Sequence, residues 1–393
     1  MKIEAELTNW IVEQRRYLHQ NPELSHQEKM TKRYIKERLT EMGIETYSLT
    51  GKDVIGIMKG DHDGKVIGIR ADMDALPIKE ETGLPFASTK PNVMHACGHD
   101  GHMAILLGIA KDLSHKKDKI HGTVLFIFQH AEEALPGGAI ELVDKNLLNG
   151  VDAMFGYHLW QPLELGFIGI HQGPAMAGVD RFCFTIYGKG GHGSMPHQTV
   201  DPTVVISNII TQMQTIVSRS LDSKDQAVVS IGELHSGSNY NVIPHTAYAS
   251  GAVRYFDNEV SKLIRKRVEA IIKGVCDSFG ASFELSYEQG DPPLLNDKQL
   301  TAFVQKKAID IFGEERVVQI NPIMGSEDFA HYSTSIPATY TFIGIGKPSH
   351  PYGHHHPKFD IDEAMLPAGV ELFTNSVLDY LKEEADKNEN PFN

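Results

Sequence analysis

Strand-length apolar runs alternate with helical patterns along much of the chain, and this alternation constrains the fold more than any other feature. The first half carries apolar runs at 54–58, 66–70, 123–128 and 153–157, with helical patterns among them at 103–113 and 138–148. A helix between two strands returns the chain to the same end of a sheet, so this order predicts a mostly parallel α/β sheet. The same alternation of helices and strands returns near the C-terminus, with a helix at 298–311, a strand at 340–345 and a helix at 362–382.

Residues 179–289 follow a different pattern, in which apolar and polar residues alternate as they do in half-exposed strands. The elements come in β-α-β-β-α-β order, with strands at 181–187, 227–234, 247–255 and 282–287 and helices at 202–218 and 259–279. This order is typical of a ferredoxin-like α+β unit. We therefore predict an α/β domain formed by 1–178 and 290–393, interrupted by an inserted ferredoxin-like domain at 179–289.

Charge balance and the lack of long apolar segments exclude several classes of protein. The 51 acidic residues outnumber the 37 Lys and Arg, and the resulting net charge of −14 disfavours nucleic acid as a partner. No stretch approaches the roughly 18 apolar residues of a membrane span, and the first residues lack the apolar core of a signal peptide. Three widely spaced cysteines do not form a disulfide framework. We therefore expect a cytoplasmic protein that binds neither nucleic acid nor membrane.

Metal-type ligands follow three of the predicted strands. Ligands in open α/β sheets bind beyond the carboxyl ends of the strands. The residues placed there are Asp72 and Asp74 after 66–70, His130, Glu132 and Glu133 after 123–128, and His158 after 153–157. Carboxylates and imidazoles that converge from different strands predict a metal site.

Two histidine-rich segments add candidates to this site, in a chain that holds 20 histidines. Cys97 and His99 are two residues apart, and Gly98 between them lets both point to one centre. His95 and His102 beside them fit hydrogen-bonding supports better than ligands. We expect one ligand from the run at 354–356, where three histidines precede a proline. Thiolate, imidazole and carboxylate together suit Zn, Mn, Co or Ni and do not suit Mg or Ca alone.

Adjacent carboxylates at Glu132 and Glu133 allow a division of labour. One can bind the metal while the other acts on the water as general base and later as general acid. This pair predicts hydrolysis of an amide or ester carbonyl by metal-activated water. Competing motifs fail: the chain has no H-E-x-x-H, no G-x-S-x-G and no Walker A loop. A G-x-G-x-x-G at 188–193 is interrupted as a dinucleotide site by Met195-Pro196-His197, and we interpret it as a glycine-rich turn that exposes His192.

Short motifs spread over nearly the whole chain carry a resemblance to a known family. They are Arg16-Tyr17-Leu18-His19, Pro22-Glu23-Leu24, the segment 70–77, Cys97-Gly98-His99-Asp100, Ala131-Glu132-Glu133, His158, Gly190-Gly191-His192-Gly193, Asn241-Val242-Ile243-Pro244, Ser326-Glu327-Asp328-Phe329 and His355-His356-Pro357. With these motifs the sequence closely resembles the aminoacylase/carboxypeptidase-type metallo-amidohydrolases. The nearest branch holds N-acyl-amino-acid amidohydrolases, hippurate hydrolases and plant auxin-conjugate hydrolases.

The resemblance implies a metallohydrolase domain that carries a two-metal centre, with two divalent ions per subunit (Mn, Zn, Co or Ni). Its implied ligands are Cys97, His99, Glu133, His158 and His355, the last because the family places its ligand two residues before the proline. Glu132 is then the general base and Asp74 orients a ligand. Distant relatives carry a His at the position of Asp72 and a bridging Asp at the position of Cys97. The resemblance therefore leaves open whether both metal positions fill equally.

By the same resemblance, the inserted domain is a lid that also carries the contact of a homodimer or dimer-based oligomer. His192 is expected to polarise the scissile carbonyl, in its own site or in that of a partner subunit. Asn241 and Arg254 are expected to hold the substrate carboxylate, with His197 as a weaker candidate. The alternatives are that Asn241 caps a turn and that Arg254 is an ion-paired strand residue.

The function that the resemblance implies is metal-dependent hydrolysis of N-acetyl or N-aroyl amino acids to a carboxylate and the free amino acid. Close alternatives are N-acetyldiaminopimelate deacetylation and a dipeptidase or aminopeptidase activity. A catalytically silent metal-binding homologue is the alternative from a different class. The presence of the base and of all five implied ligands argues against it.

Overall fold

The computed structural model describes residues 3–389, which form two compact units. The core unit comprises the described residues up to Ala175, Leu295–Asn321 and the described residues from Asp328 onward. The insert unit comprises Met176–Leu294 and the short segment Pro322–Glu327. The predicted boundaries at 179 and 289 differ from these by a few residues, and the sequence pattern did not indicate that 322–327 packs with the insert unit.

Sixteen strands and nine α-helices are found in the described part of the chain. The strands are β1 (Glu45–Tyr47), β2 (Val54–Lys59), β3 (His62–Asp72), β4 (His121–Gln129), β5 (Ala153–Glu164), β6 (Ile168–Ile170), β7 (Gly173–Met176), β8 (Gly178–Tyr187), β9 (Gly191–His192), β10 (Ala227–Ser236), β11 (Val242–Ile243), β12 (Thr246–Tyr255), β13 (Ser282–Gln289), β14 (Leu294–Asn296), β15 (Val317–Gln319) and β16 (Ala338–Gly346). The helices are α1 (Ala5–Gln20), α2 (Lys29–Glu41), α3 (His99–Ser114), α4 (Gly138–Asp144), α5 (Pro202–Met213), α6 (Asn258–Phe279), α7 (Lys298–Phe312), α8 (Ala330–Ser333) and α9 (Met365–Glu389). None of the described helices combines the length and apolar character that crossing a membrane requires.

The core unit is built on an eight-stranded sheet in the order β1-β2-β4-β3-β5-β16-β6-β15. Its four central strands, β4, β3, β5 and β16, pair in parallel, whereas β1, β2 and β6 add antiparallel pairings toward the edges. The prediction of a mostly parallel sheet is therefore confirmed. Strand β16 is buried along its whole length, as expected where helices cover both faces of a parallel sheet.

Helix α3 begins at His99, one of the predicted ligands, and is packed inside the core unit. Thirteen of its sixteen residues are buried, including the continuous run from His99 to Ala110. A helix that is apolar on every side belongs inside a protein, and contacts with α1 and α9 supply that environment. Because interiors are close-packed, the first turn of α3 has little freedom to move.

The insert unit contains a four-stranded antiparallel sheet in the order β10-β12-β8-β13. Helices α5 and α6 follow β8 and β12, and apolar residues such as Phe184, Ile206 and Ile264 form a separate core with the sheet. Chain order and sheet order are those of a ferredoxin-like unit, as predicted. The helix predicted at 202–218 is shorter than expected, because α5 ends at Met213 and a π-helical turn covers Ile216–Ser220.

Candidate metal centre

Carboxyl ends of neighbouring parallel strands bring the predicted ligands together in the core unit. Strand β3 ends at Asp72 and β4 ends at Gln129, directly before the segment that carries Glu132 and Glu133. His158 lies inside β5, which continues to Glu164, so the strand predicted to stop at 157 was too short. The pairing of β5 with β3 stops at Phe155, so His158 lies beyond the end of that pairing, while on the other side of β5 it pairs with Phe342 of β16.

The turn before α3 places Cys97 and His99 on either side of a glycine with left-handed backbone. Gly98 has φ of 95°, a conformation that side-chain-bearing residues rarely adopt. Cys97 Sγ lies 3.6 Å from His158 Nε2. The ligand atoms of Cys97, His99 and His158 all lie within 4.8 Å of one another.

Hydrogen bonds at the far nitrogen orient the two buried histidines. His99 Nδ1 lies 2.9 Å from the backbone oxygen of Asp74, and His158 Nδ1 lies 2.8 Å from that of Leu159. Since a carbonyl only accepts, both rings carry a proton on Nδ1 and turn Nε2 to the centre. The buried Nε2 of His99 has no hydrogen-bond partner among the described residues, as expected of a metal ligand.

The remaining predicted ligands, Glu133 and His355, join the same centre. His355 Nε2 lies 3.0 Å from Glu133 Oε1, and these two residues form a compact group with Cys97. Glu132 and Glu133 form a further group with His99, in which Glu132 Oε2 is 3.9 Å from His99 Nε2. The three groups share members, so the structure brings together all five predicted ligands and Glu132, as a site for two neighbouring ions requires.

Asp74, predicted to orient a ligand, contacts residues on two sides of the centre. Its Oδ2 accepts a hydrogen bond from the Glu133 backbone N–H at 3.0 Å and another from Ser25 Oγ at 2.7 Å. Its Oδ1 is 3.3 Å from His99 Nδ1. The carboxylate therefore ties the His99 ring to the backbone of the Glu132–Glu133 segment.

Asp72 and His102 form a support beneath the centre. His102 Nε2 accepts a hydrogen bond from the Leu159 N–H at 2.9 Å, so its proton is on Nδ1, which donates to Asp72 Oδ1 at 2.7 Å. Both ring nitrogens of His102 are thus occupied by protein groups. The interpretation of His102 as a support agrees with these contacts.

A buried network of Arg70, Gln129 and Asp328 lies behind Asp72, and no role was predicted for these three residues from the sequence. Arg70 is 1% exposed; it donates to Asp72 Oδ2 at 2.7 Å and to Asp328 Oδ1 at 2.6 Å. Gln129 Nε2 donates to Asp328 Oδ2 at 2.6 Å. Both ends of this ion pair lie in motifs of the resemblance, 70–77 and 326–329, and that was the only signal for it.

Negative charge dominates the electrostatics of the buried centre. Burial raises the pKa of the Cys97 thiol well above its usual range, and the Glu133 and Glu132 carboxylates raise it further. Burial opposes the charged form of His99, but Asp72 and Asp74 outweigh it and raise the His99 pKa to about 10. Both shifts show that the centre favours added positive charge. Its thiol, imidazole and carboxylate donors fit divalent transition-metal ions.

His130 belongs to a different cluster, although it directly follows β4. Its Nε2 lies 3.2 Å from Glu141 Oε2, and His26 completes a group of three residues that can hold a metal. Lys52 Nζ already lies 2.9 Å from Glu141 Oε1. This cluster therefore has its own cation in the lysine ammonium.

The predicted substrate-binding residues lie in the insert unit, and two of them are neighbours. His192 in β9 pairs with Val242 in β11, and the Gly193 N–H donates to the backbone oxygen of Asn241 at 2.9 Å. The Ser194 N–H donates to His192 Nδ1 at 3.2 Å, which fixes the ring proton on Nε2.

The other two predicted substrate residues make different contacts in the insert unit. Exposed His197 lies in the short 3-10 helix Pro196–Gln198. Half-buried Arg254 donates to Ser326 Oγ at 2.9 Å. Among the described residues no carboxylate forms a hydrogen bond with the Arg254 guanidinium, so these bonds do not support the alternative of an ion-paired strand residue.

Comparison with known proteins gives matches over most of the chain. A family model described as peptidase family M20/M25/M40 matches residues 68–379. An N-acyl-L-amino acid amidohydrolase of Geobacillus stearothermophilus is 46% identical over 287 residues, which cover 73% of this chain and 78% of that protein. An N-acetyl-L-cysteine deacetylase of Bacillus subtilis is 40% identical over 366 residues, 92% of this chain and 86% of its own. The crystal structure of the Bacillus subtilis YXEP protein, described as a dinuclear metal binding peptidase from the M20 family, matches with a TM-score of 0.85 at 35% identity, covering 96% of this chain and 99% of its own.

Proposed function

Because the chain belongs to peptidase family M20/M25/M40 and is a hydrolase acting on amide bonds, we propose that it cleaves the acyl group from N-acetyl or N-aroyl amino acids. The single observation that carries the proposal is the centre in which Glu132 lies beside the five predicted metal-type ligands. Two relatives are named for the removal of acyl groups from amino acids, which supports this substrate class.

The residues that would hold two divalent ions are Cys97, His99, Glu133, His158 and His355. When bound, such ions supply Lewis acidity and lower the pKa of water toward neutrality. We propose Mn, Zn, Co or Ni as the ions, since a donor set with thiolate and imidazole does not suit Mg or Ca alone.

Glu132 is proposed as the group that moves the proton. Glu133 Oε1 is 3.0 Å from the imidazole of His355, which places it among the proposed ligands, and Glu132 Oε2 is 3.9 Å from His99 Nε2, beside the same ligands. Its carboxylate takes a proton from the water that attacks the carbonyl carbon. It then delivers this proton to the amide nitrogen as the C–N bond breaks, which releases the carboxylate and the free amino acid.

The insert unit is proposed to supply the contacts with the substrate. His192 carries its proton on Nε2, the form that can donate a hydrogen bond to the scissile carbonyl, in its own site or in that of a partner subunit. Asn241 and Arg254 are proposed to bind the substrate carboxylate, with His197 as the weakest candidate. A homodimer in the cytoplasm is the assembly and location that we propose.

Replacement of Glu132 by Gln tests the assignment, with Glu133→Gln as the matched control. We expect E132Q to lose about 10³-fold or more in kcat while it keeps its metal, because general base catalysis and nucleophile generation are both affected. E133Q is expected to lose metal as well. Activity is measured on N-acetyl and N-benzoyl amino acids and on dipeptides with Mn, Zn, Co or Ni added, and metal content by elemental analysis. Full activity in E132Q, or release of amine from dipeptides alone, would contradict the proposal.

A further inference from the structure

The turn that leads into Glu132 has an unusual backbone conformation at Ala131. This residue is fully buried and has φ of 50°, a region that residues with a Cβ rarely adopt. Such a conformation persists only where surrounding contacts hold it. Two contacts hold it here: the Ala131 N–H donates to Glu28 Oε1 at 2.8 Å, and its carbonyl accepts from the Gly138 N–H at 3.1 Å.

Glu28 reaches Ala131 from the position directly before helix α2. A residue at this position usually turns its side chain back to cap the first free N–H groups of its own helix, but Glu28 makes no such bond. Glu23 caps the helix in its place, since its Oε2 accepts from the Thr31 N–H at 2.8 Å and from Thr31 Oγ1 at 3.0 Å. The carboxyl of Glu28 is thereby left to bind a backbone N–H 103 residues away.

Two carboxyl groups therefore hold backbone N–H groups on either side of Glu132. Glu28 binds the residue before it and Asp74 binds the residue after it, Glu133. We propose that Glu28 is a positioning residue that sets the direction of the Glu132 side chain by holding Ala131 in its left-handed conformation. This inference rests on the proposed role of Glu132 as the base.

The environment of Glu28 indicates that its acceptor oxygen matters more than its charge. Glu28 is 4% exposed. Burial, with the nearby charge of Asp74, raises the pKa of Glu28 to about 7, although hydrogen bonds from backbone N–H groups lower it in part. The carboxyl is thus partly neutral near neutral pH. Gln, which keeps the acceptor and has no charge, is therefore a close mimic.

Glu28→Met and Glu28→Gln test the inference as a pair of similar size, of which only the second keeps the acceptor. A displacement of about 1 Å in a catalytic group can cost on the order of 100-fold in rate. We expect E28M to lose about 30- to 100-fold in kcat, with KM within about twofold of the wild type and with unchanged metal content. E28Q is expected to stay within about threefold of the wild type in the same assay. Should E28M fail to fold, Glu28→Asp replaces it, since its carboxyl is one methylene too short to reach Ala131.

Hydrogen–deuterium exchange of the peptide that covers 129–134 supplies a readout independent of activity. The Ala131 amide should exchange faster in E28M than in E28Q or the wild type. Glu23→Met is the matched control, because the Glu23 carboxyl bonds to Thr31 in helix α2 rather than to the turn at Ala131. It should lower thermal stability and leave both kcat and the exchange of 129–134 unchanged.

Three results would overturn the inference: wild-type exchange and kcat in E28M, equal losses in E28Q and E28M, or a loss of metal that parallels the loss of kcat. Failure of the proposed function looks different. In that case E132Q keeps its activity, whereas the exchange of 129–134 still reports whether Glu28 holds the turn.

Discussion

The predicted metal ligands of the core unit and the predicted substrate residues of the insert unit differ in how the protein holds them. His99 and His158 are buried, and each is oriented by a carbonyl outside the ligand set. His192, His197 and Asn241 are exposed, and the contacts of the first and last come from within their own two-stranded turn.

This difference shows that the roles of metal ligands and of substrate-binding residues leave different traces in the structure of the protein alone. A metal site needs its ligands in place before the ion arrives, so its preorganisation appears as buried, oriented side chains. A residue that meets a substrate makes its decisive contact only when the substrate is bound, so its role leaves little trace in the protein alone.

Replacement of His355 should give the largest effect in this comparison. His355 is the exception among the predicted ligands, because its side chain is 52% exposed, so it tests whether a ligand of this centre has to be buried. Its backbone is nonetheless fixed, with φ of 64° and an N–H bond of 2.8 Å to the Ala96 carbonyl. We expect His355→Ala to lose bound metal and about 10³-fold in kcat, since the ion contributes several kcal/mol. Metal content and kcat are measured on the same preparation.

His356→Ala is the control for that variant, because the next residue in the run has other contacts. Its Nδ1 accepts from the Lys358 N–H at 3.0 Å, and its ring stacks on Tyr352. This variant should keep its metal and its activity. If H356A lost metal and H355A did not, the assignment within the histidine run would be wrong.

Replacement of His192 should have a smaller effect of a different kind. A positioned donor to a developing oxyanion is worth about 3–4 kcal/mol, so His192→Ala is expected to lower kcat about 10²-fold or more. Its metal content and melting temperature should stay unchanged, since the hydrogen bonds of its ring are made with the exposed Ser194. Gln198→Ala, on the neighbouring exposed turn, serves as the comparison and should fall within about twofold of the wild type. Loss of metal in H192A would show that the two groups of residues are not separable.

The sequence predicted the fold, and it also pointed to metal-type residues that lie together in the structure, in both cases for a physical reason. Period-2 and period-3.6 apolar patterns reflect burial, which decides strands such as β4 and helices such as α3. His99 and Glu133 could be found because chemistry restricts ligands to a few residue types at strand ends. The positions of Glu28 and Asp328 could not, since their contacts span 103 and 258 residues of sequence and leave no local pattern.

Arg254 should give the smallest of these effects, and it separates substrate binding from structure within the insert unit. A hydrogen bond to a charged group is worth about 1.5–3 kcal/mol, so Arg254→Met is expected to raise KM about tenfold for an N-acetyl amino acid. The same variant should leave KM unchanged for the corresponding N-acetyl amino acid amide, which has no carboxylate to bind. Ser326→Ala removes the hydroxyl that accepts from the Arg254 guanidinium without removing the cation, and it should affect both substrates equally. An equal rise in KM for both substrates in R254M would assign Arg254 to the packing of the insert unit, and the proposal that it binds the substrate carboxylate would then be wrong.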